Sequence, residues 1–252
     1  MLETIDHGAV REIRLARPPV NALSPELVIA LEQALAEAAD DARAIVLSGR
    51  PGMFSAGLDM KALLARDRAE MAAFWGRFLA LLQRLATSRV PIVAALTGHS
   101  PAGGAVMAIF CDARIAAAGD FKIGLNEVQV GMAMPSIIHA AMLRLVGARE
   151  AERLCVGGLL VSPDEALAAG LVDEVVEPEL VVARAISRAG AYAALPPQAM
   201  ARTRALCRAD LAAAFDRVGA GFADEMNAGW FSDETQSTMK AVLAQLAAKA
   251  KS

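Results

Sequence analysis

One carboxylate and two glycine-containing turns are the parts of this sequence best suited to chemistry. Glu127 lies among apolar residues that include Ile123 and Val128, where loss of water would raise the pKa of its carboxyl group and make it a stronger base. Ala56 and Gly103 each follow an apolar run and a glycine-containing loop. A base combined with backbone N–H donors favours removal of a proton next to a carbonyl group, because the donors stabilise the enolate oxygen that forms.

Both turns are predicted to open helices, one near residue 56 and the other near residue 102. The first residues of a helix leave N–H groups unpaired, and the helix dipole adds positive potential at that end. If the N–H groups of Ala56 and Gly103 point at one spot, they form an oxyanion hole. The alternative is that the second turn only allows close packing and that Glu127 is an exposed or ion-paired loop residue.

Other catalytic chemistries fit the sequence less well. The segment GHSPAG around Ser100 has the pattern G-x-S-x-x-G, one residue longer than a nucleophile elbow. His99 is adjacent to Ser100, and neighbouring residues of an extended segment point apart, so a serine hydrolase is the least favoured hypothesis. The three cysteines and three histidines show no metal-ligand or disulfide spacing, and no nucleotide-binding fingerprint follows a predicted strand. We therefore expect no metal site.

The composition favours a folded protein that acts on a small molecule. The chain has 252 residues, of which 56% are hydrophobic and 21% charged, so it needs a large core, an oligomer interface, or both. A net charge of −3 argues against a nucleic-acid partner. No apolar run approaches the roughly 20 residues of a membrane span, and the first residues do not resemble a signal peptide. The expectation is a cytoplasmic protein with no membrane contact.

The predicted elements alternate between strand, loop and helix until about residue 180, and beyond it they are helical only. The two candidate loops lie 46 positions apart, which favours stacked strand–loop–helix turns over a Rossmann sheet. A main α/β layer with a helical C-terminal extension follows from this order. Strands are predicted at 8–15, 44–47, 90–96, 114–117 and 171–176, and helices at 25–39, 136–146 and 148–156.

Several separated blocks of the sequence resemble one family. VNALS, RPGMFSAGLDM, SPAGG with CDARI, IGLNE and AAGLVDEVV occur in the order typical of the crotonase superfamily, the enoyl-CoA hydratases and isomerases. The sequence most resembles the mitochondrial-type Δ3-Δ2-enoyl-CoA isomerases. The resemblance implies an α/β fold, a crotonase-like spiral of ββα turns with the active site over residues 1–195. It also implies a helical trimerisation region over residues 196–252, hence a homotrimer or a dimer of trimers.

The resemblance also implies a site and a substrate. Glu127 would be the catalytic base, with oxyanion donors from the N–H groups of Ala56 and Gly103. Coenzyme A would enter as part of an acyl-CoA thioester substrate, so no separate cofactor is expected. Arg17 and Lys61 are candidates for the coenzyme A phosphates by charge alone, and the alternative is that they are solvated surface residues. The implied substrate-binding residues are Ala56, Gly57, Leu58, Asp59, Met60 and Gly103.

One difference separates the hydratase and isomerase hypotheses. Hydratases carry two glutamates, and this chain has Val106 where the first is expected, whereas Glu127 matches the second. One carboxylate suffices to move a double bond, so the prediction is an isomerase of 3-enoyl-CoA thioesters of the fatty acid β-oxidation type. A hydratase or another crotonase-type acyl-CoA enzyme is the alternative, and a non-catalytic acyl-CoA binder is a third hypothesis. Met132 and Met134 either line an acyl pocket or fill the core.

Overall fold

The computed structural model describes residues 1–249, and the strands in this range form two sheets. The strands are Leu2–His7 (β1), Val10–Leu15 (β2), Ala44–Ser48 (β3), Gly52–Met53 (β4), Ile92–Leu96 (β5), Gly98–Pro101 (β6), Ala113–Ala117 (β7), Ile123–Gly124 (β8) and Glu174–Val176 (β9). The larger sheet has the order β1-β2-β3-β5-β7-β9, and the smaller has the order β4-β6-β8. β1 is antiparallel to β2, and the other strand pairs are parallel.

Helices cover both sheets and make up the chain beyond residue 180. They are Pro25–Asp41 (α1), Met60–Leu63 (α2), Arg68–Thr87 (α3), Gly103–Ile109 (α4), Ser136–Gly157 (α5), Pro163–Ala168 (α6), Val181–Ala193 (α7), Pro197–Cys207 (α8), Ala209–Val218 (α9), Phe222–Trp230 (α10) and Asp233–Lys249 (α11). Short 3₁₀ turns cover Glu127–Val130, Pro178–Leu180 and Gly219–Gly221. None of the helices in the described range combines the length and apolar character needed to cross a bilayer.

Successive strand pairs stack as turns of a spiral. β3, β5 and β7 lie side by side in the larger sheet, and the strand after each of them, β4, β6 or β8, lies in the smaller sheet. The register of the smaller sheet pairs Gly52 with Gly98, a separation equal to the 46-residue spacing between the two candidate loops. The predicted stack of strand–loop–helix turns is therefore confirmed.

The central strands of the larger sheet, β3, β5 and β7, are buried on both faces. Alternate residues of β3 point to opposite faces, so that Ile45 and Leu47 join the cluster formed with α1 and α3, while Ala44 and Val46 pack beneath α7. Strands buried on both sides read as continuous apolar runs, which explains why the sequence shows these strands so clearly.

Local signals place several helix ends as predicted. Ser24 caps α1, since its Oγ accepts a hydrogen bond from the Leu27 N–H at 3.3 Å. Ser162 and Glu165 form a reciprocal capping box at α6. The predicted helices 136–146 and 148–156 are one element, α5, interrupted at Gly147, where φ is 78°.

Other predicted boundaries are wrong. No helix opens at residue 56, because α2 begins at Met60 with Asp59 as its N-cap. The strand predicted at 171–176 is shortened to β9, and β1 was not predicted. β1 is an edge strand with little burial, so it lacks the alternation of apolar and polar residues that marks a half-buried strand.

The C-terminal helices pack onto the spiral. α10 lies against α3, where the rings of Trp75 and Trp230 meet edge to face with centroids 5.6 Å apart. The Thr235 hydroxyl of α11 donates to the Gly131 carbonyl at 2.6 Å. The division into 1–195 and 196–252 stays a prediction, as does the role of the second part in trimer formation. Residues 250–252 of that part lie outside the described residues.

Candidate active site

An apolar cavity of about 320 Å³ brings the predicted site residues together. One side is formed by the loop before α2 and the first turn of α4, and the other by the 3₁₀ turn that carries Glu127. Helices α3, α10 and α11 complete the wall. Among the described residues that line this cavity, Glu127 is the only one with an ionisable side chain.

Glu127 has the environment of a base. It follows β8 in the 3₁₀ turn, and its Oε2 atom is buried and has no hydrogen-bond partner among the described residues. Burial raises the pKa of its carboxyl group to about 7, because the charged form loses solvation and gains no cation in return. A carboxylate with this pKa takes up and releases protons readily at neutral pH.

The Gly103 N–H is free to bind a ligand. Gly103 is the first residue of α4, so this N–H has no acceptor within the helix, and none is found elsewhere in the described chain. Ala102 just before it has φ 48° and ψ −125°, a conformation that costs a non-glycine residue energy. The Ala102 N–H donates to the Gly124 carbonyl at 2.8 Å, which holds this strained turn in place.

The structure contradicts the prediction that Ala56 supplies the second donor. The Ala56 N–H donates to the Val20 carbonyl at 2.9 Å, and the Gly57 N–H donates to Ser55 Oγ at 3.2 Å. The Leu58 N–H, in contrast, has no acceptor among the described residues. Ala56 does line the cavity, so contact between this residue and a substrate stays a prediction.

Backbone pairing explains why Leu58 carries the free donor. Leu58 bridges Leu23 in parallel: the Leu23 N–H donates to the Gly57 carbonyl, and the Asp59 N–H donates to the Leu23 carbonyl. This pattern uses the groups on either side of Leu58 and leaves its own N–H directed away from Leu23. The two turns are in contact, since a Cβ built on Gly57 would lie 2.9 Å from the Gly103 nitrogen. Leu58 and Gly103 therefore present free N–H groups from touching turns.

Of the remaining residues predicted to contact the substrate, one lines the cavity and another has a structural role. Met60 lines the cavity, whereas Asp59 caps α2 and forms an ion pair with Arg17 at 2.7 Å. Arg17 is thereby directed to a carboxylate of the protein and to the Ala22 carbonyl. Lys61 is exposed.

An aromatic and methionine wall of the cavity was missed by sequence reasoning. Its side chains come from α3, α10 and α11, which are far apart in the chain, so spacing identifies them as buried but not as neighbours. Met132 also lines the cavity and is almost fully buried, whereas Met134 borders a separate surface depression. The members of this wall are Trp75, Phe78, Met226, Trp230 and Met239.

The geometry does not support a serine nucleophile at Ser100. Its side chain is fully buried, and its Oγ donates to the Gly98 carbonyl at 3.0 Å. His99 Nδ1 accepts a hydrogen bond from the Lys122 N–H instead of from the serine. Within residues 1–249, no three His, Cys, Asp or Glu side chains are grouped as a metal site requires.

A larger depression of about 720 Å³ lies beside α8, away from Glu127. Its arginines are engaged by the protein itself: Arg204 and Arg208 bond to Asp112 and to backbone carbonyls at the ends of α3 and α4. These contacts hold α8 against the spiral, so the arginines of this depression have a structural role.

Fold and site together define a class of protein, a ββα spiral in which one buried carboxylate shares an apolar cavity with two free backbone amides. Residues 6–244 match the family described as Enoyl-CoA hydratase/isomerase. The chain is similar to human mitochondrial enoyl-CoA delta isomerase 1, with 40% identity over 210 residues, which are 81% of this chain and 69% of the human protein. The protein therefore belongs to the enoyl-CoA hydratase/isomerase family.

Solved structures agree with this assignment. The crystal structure of human mitochondrial Δ3-Δ2-enoyl-CoA isomerase is similar over 98% of both chains, with a TM-score of 0.95 and 33% identity. Enoyl-CoA hydratase EchA3 from Mycobacterium ulcerans Agy99 is similar over 91% of this chain and 99% of its own, with a TM-score of 0.83 and 29% identity. The predicted crotonase-like fold is thus confirmed.

Proposed function

We propose that this protein is an isomerase that moves the double bond of 3-enoyl-CoA thioesters to the 2-position. The observation that carries the proposal is the apolar cavity in which Glu127 is the only ionisable side chain among the described lining residues. Val106, which stands where hydratases have their first glutamate, is a buried part of the same lining. The similarity to human enoyl-CoA delta isomerase 1 supports the same reaction.

The chemistry needs one base and two donors. Glu127 removes a proton from C2 of the 3-enoyl thioester, and the electron pair spreads to the thioester oxygen as a dienolate. The Leu58 and Gly103 N–H groups stabilise that oxygen, each by about 3 kcal/mol in a dry site. Glu127 then returns the same proton to C4. Coenzyme A takes part only as the thiol portion of the substrate, and no separate cofactor is required.

The apolar cavity helps this single base to act twice. Between the two transfers the proton resides on a carboxyl group that is shielded from water, which favours its return to C4 over loss to solvent. Hydration would instead need a water molecule that is activated and oriented, a task for which hydratases use a second carboxylate. A hydratase is the second candidate because of the similarity to EchA3.

Glu127→Gln provides the direct test. The amide keeps the size of the side chain but cannot accept the C2 proton, so kcat for isomerisation is expected to fall at least about 100-fold. Glu179→Gln changes an exposed glutamate and serves as the control. The purified proteins are assayed separately for isomerisation of a 3-enoyl-CoA and for hydration of a 2-enoyl-CoA. Unchanged isomerisation in Glu127→Gln would refute the mechanism, and rapid hydration without isomerisation would favour the hydratase.

Assembly and location are further parts of the proposal. We propose a homotrimer or a dimer of trimers, since large apolar side chains such as Val156 and Leu206 are exposed in the single chain. Light scattering on the purified protein tests this assembly. The proposed location is the cytoplasm, and fractionation of the producing cells tests it.

A further inference from the structure

The VNALS block, residues 20–24, takes no direct part in the proposed reaction, and none of its residues is among the described lining of the cavity. It runs beside the loop before α2, residues 54–59, which carries the free Leu58 N–H. The backbone groups of Val20 and Leu23 pair with this loop. The block therefore acts as a template against which the loop is shaped, and its side chains deserve the same scrutiny as its backbone.

Asn21 joins the block to the loop through its side chain. The residue is almost fully buried, and both ends of its amide are used: Oδ1 accepts from the Arg17 N–H at 2.9 Å, and Nδ2 donates to the Phe54 carbonyl at 2.9 Å. Its φ is 50°, in the left-handed region where asparagine is enriched. The two side-chain bonds hold Asn21 in this conformation and fix where its own carbonyl lies.

Ser55 continues the connection into the loop. Its hydroxyl donates to the Asn21 carbonyl at 2.8 Å, and the same oxygen accepts from the Gly57 N–H at 3.2 Å. Ser55 is fully buried, and a Cβ built on Gly104 of α4 would lie 2.5 Å from the Ser55 carbonyl oxygen. Ser55 therefore lies between the two turns that present the free amides.

The pairing of Gly57 fixes the direction of the Leu58 N–H. The Gly57 carbonyl and the Leu58 N–H belong to one planar trans peptide, so they point in opposite directions. This carbonyl accepts from the Leu23 N–H at 2.8 Å, and the N–H of Gly57 is held by Ser55. The Leu58 N–H thus keeps its direction as long as both polar groups of Gly57 stay paired.

We propose that Asn21 and Ser55 are positioning residues for the Leu58 amide. The inference rests on the proposed isomerase function, in which this amide stabilises the thioester oxygen. Neither residue is among the described lining of the cavity, so each acts through the backbone of the loop. Full negative charge is present on the oxygen only in the dienolate. A misdirected amide therefore lowers kcat more than it weakens substrate binding.

Ser55→Ala tests the hydroxyl group. The change removes one atom and leaves the Gly57 N–H without its acceptor, so we expect kcat for isomerisation of a 3-enoyl-CoA to fall about 10-fold and KM to change by less than about 3-fold. Ser48→Ala is the matched control. Ser48 is equally buried and its hydroxyl donates to Glu12 at 2.6 Å, but it shares the face of β3 that carries Val46, beneath α7. This control should keep kcat.

Asn21→Gly tests the other end of the connection. Glycine adopts a φ of 50° without strain, so the variant removes the side-chain bonds and still permits the native backbone. We expect the kinetic pattern of Ser55→Ala, with kcat lowered and KM retained. Because the two residues act through one hydrogen-bonded chain, the double variant should lose clearly less than the product of the two single effects.

Urea unfolding measured beside the kinetics separates positioning from stability. A purely structural role predicts that Ser55→Ala and Ser48→Ala both lose stability and that both keep the native kcat per folded molecule. That result would overturn this inference and leave the proposed function intact, as would a rise in KM with kcat unchanged. If the native protein isomerises no 3-enoyl-CoA, the proposed function fails and the inference fails with it.

Discussion

Glu127 illustrates how one residue can be suited to chemistry and costly to the fold. Its Oε2 atom is buried with no hydrogen-bond partner among residues 1–249, and burial raises the pKa of the group from 4.5 to about 7. The folded protein holds this proton more tightly than the unfolded chain does. The contribution of Glu127 to the free energy of unfolding is therefore fully present below pH 4.5 and is lost as the pH rises through about 7. The ionised group costs the folded state at most about 3 kcal/mol.

Replacing this carboxylate should therefore stabilise the protein. Glu127→Gln is expected to raise the free energy of unfolding by about 2 kcal/mol above pH 8, and by much less near pH 5, where the native glutamate is already protonated. Urea unfolding at both pH values measures the difference. Equal stability of the variant and the native protein at high pH would show that the carboxylate is solvated or paired.

Among single residues, the sequence identified the buried carboxylate but only one of the two free N–H groups. Glu127 stands out because a lone carboxylate in an apolar segment needs a reason. Ala56 was a wrong choice because the direction of a backbone N–H depends on its pairing, here with Val20, more than thirty positions earlier. The bridge between Leu23 and Leu58 exists only in the folded chain, so no local pattern identifies the Leu58 N–H.

Stacking of the spiral depends on a contact between two glycines, each in a strand of the smaller sheet. A Cβ built on Gly98 in β6 would lie 2.0 Å from the carbonyl carbon of Gly52 in β4, a distance that no side chain tolerates. The glycines let successive turns approach closely enough for Gly57 and Gly103 to touch. Spacing between turns thus sets the positions of the two free amides.

Gly98→Ala should separate the turns. We expect a loss of about 3 kcal/mol in the free energy of unfolding, because the new methyl group meets backbone that cannot move aside. Gly76→Ala is the matched control: it lies exposed in α3 with nothing near its Cβ position and should stabilise the helix by about 0.5–1 kcal/mol. Chemical denaturation of both variants provides the measurement. Similar stability of the two variants would contradict the close contact.

Element order was largely readable from the sequence, whereas element ends were not. The 46-residue spacing survives in the strand register because each spiral turn uses a similar length of chain. The start of α2 was placed too early because the first loop resembles the second, in which the helix begins at once. In the first loop Asp59 delays the helix by capping it three residues after Ala56.

Across the whole molecule, the C-terminal helices are attached through a buried ionic contact. Arg204 of α8 donates to both carboxylate oxygens of Asp112 and to the Leu85 carbonyl at the end of α3. Only 8% of the arginine side chain and 13% of the aspartate side chain are exposed. Removing one partner would leave the other charge buried without full compensation.

Arg204→Ala should weaken the whole molecule. A loss of about 3 kcal/mol in the free energy of unfolding is expected, since the buried Asp112 carboxylate loses its main cation. Arg202→Ala, an exposed change on the same helix, should alter stability by less than about 0.5 kcal/mol. Thermal and urea unfolding compare the two variants. A similar small effect in both would mean that the ion pair contributes little.

The sequence did not predict that α3 and α10, which are far apart in the chain, line the same cavity. Trp75 and Trp230 meet although 155 positions separate them, and helical spacing reports only that each is buried. Aromatic content alone gave no indication that these two rings share a wall with Glu127.

This late closure has a consequence for synthesis on the ribosome. The base and both turns with free amides are made before residue 130, but the segment that covers Trp75 is made about a hundred residues later. Until α10 has been synthesised, the apolar side chains that it covers stay exposed on the nascent spiral. We expect a chain that stops in this interval to expose this apolar surface and to aggregate more readily than a chain that includes α10.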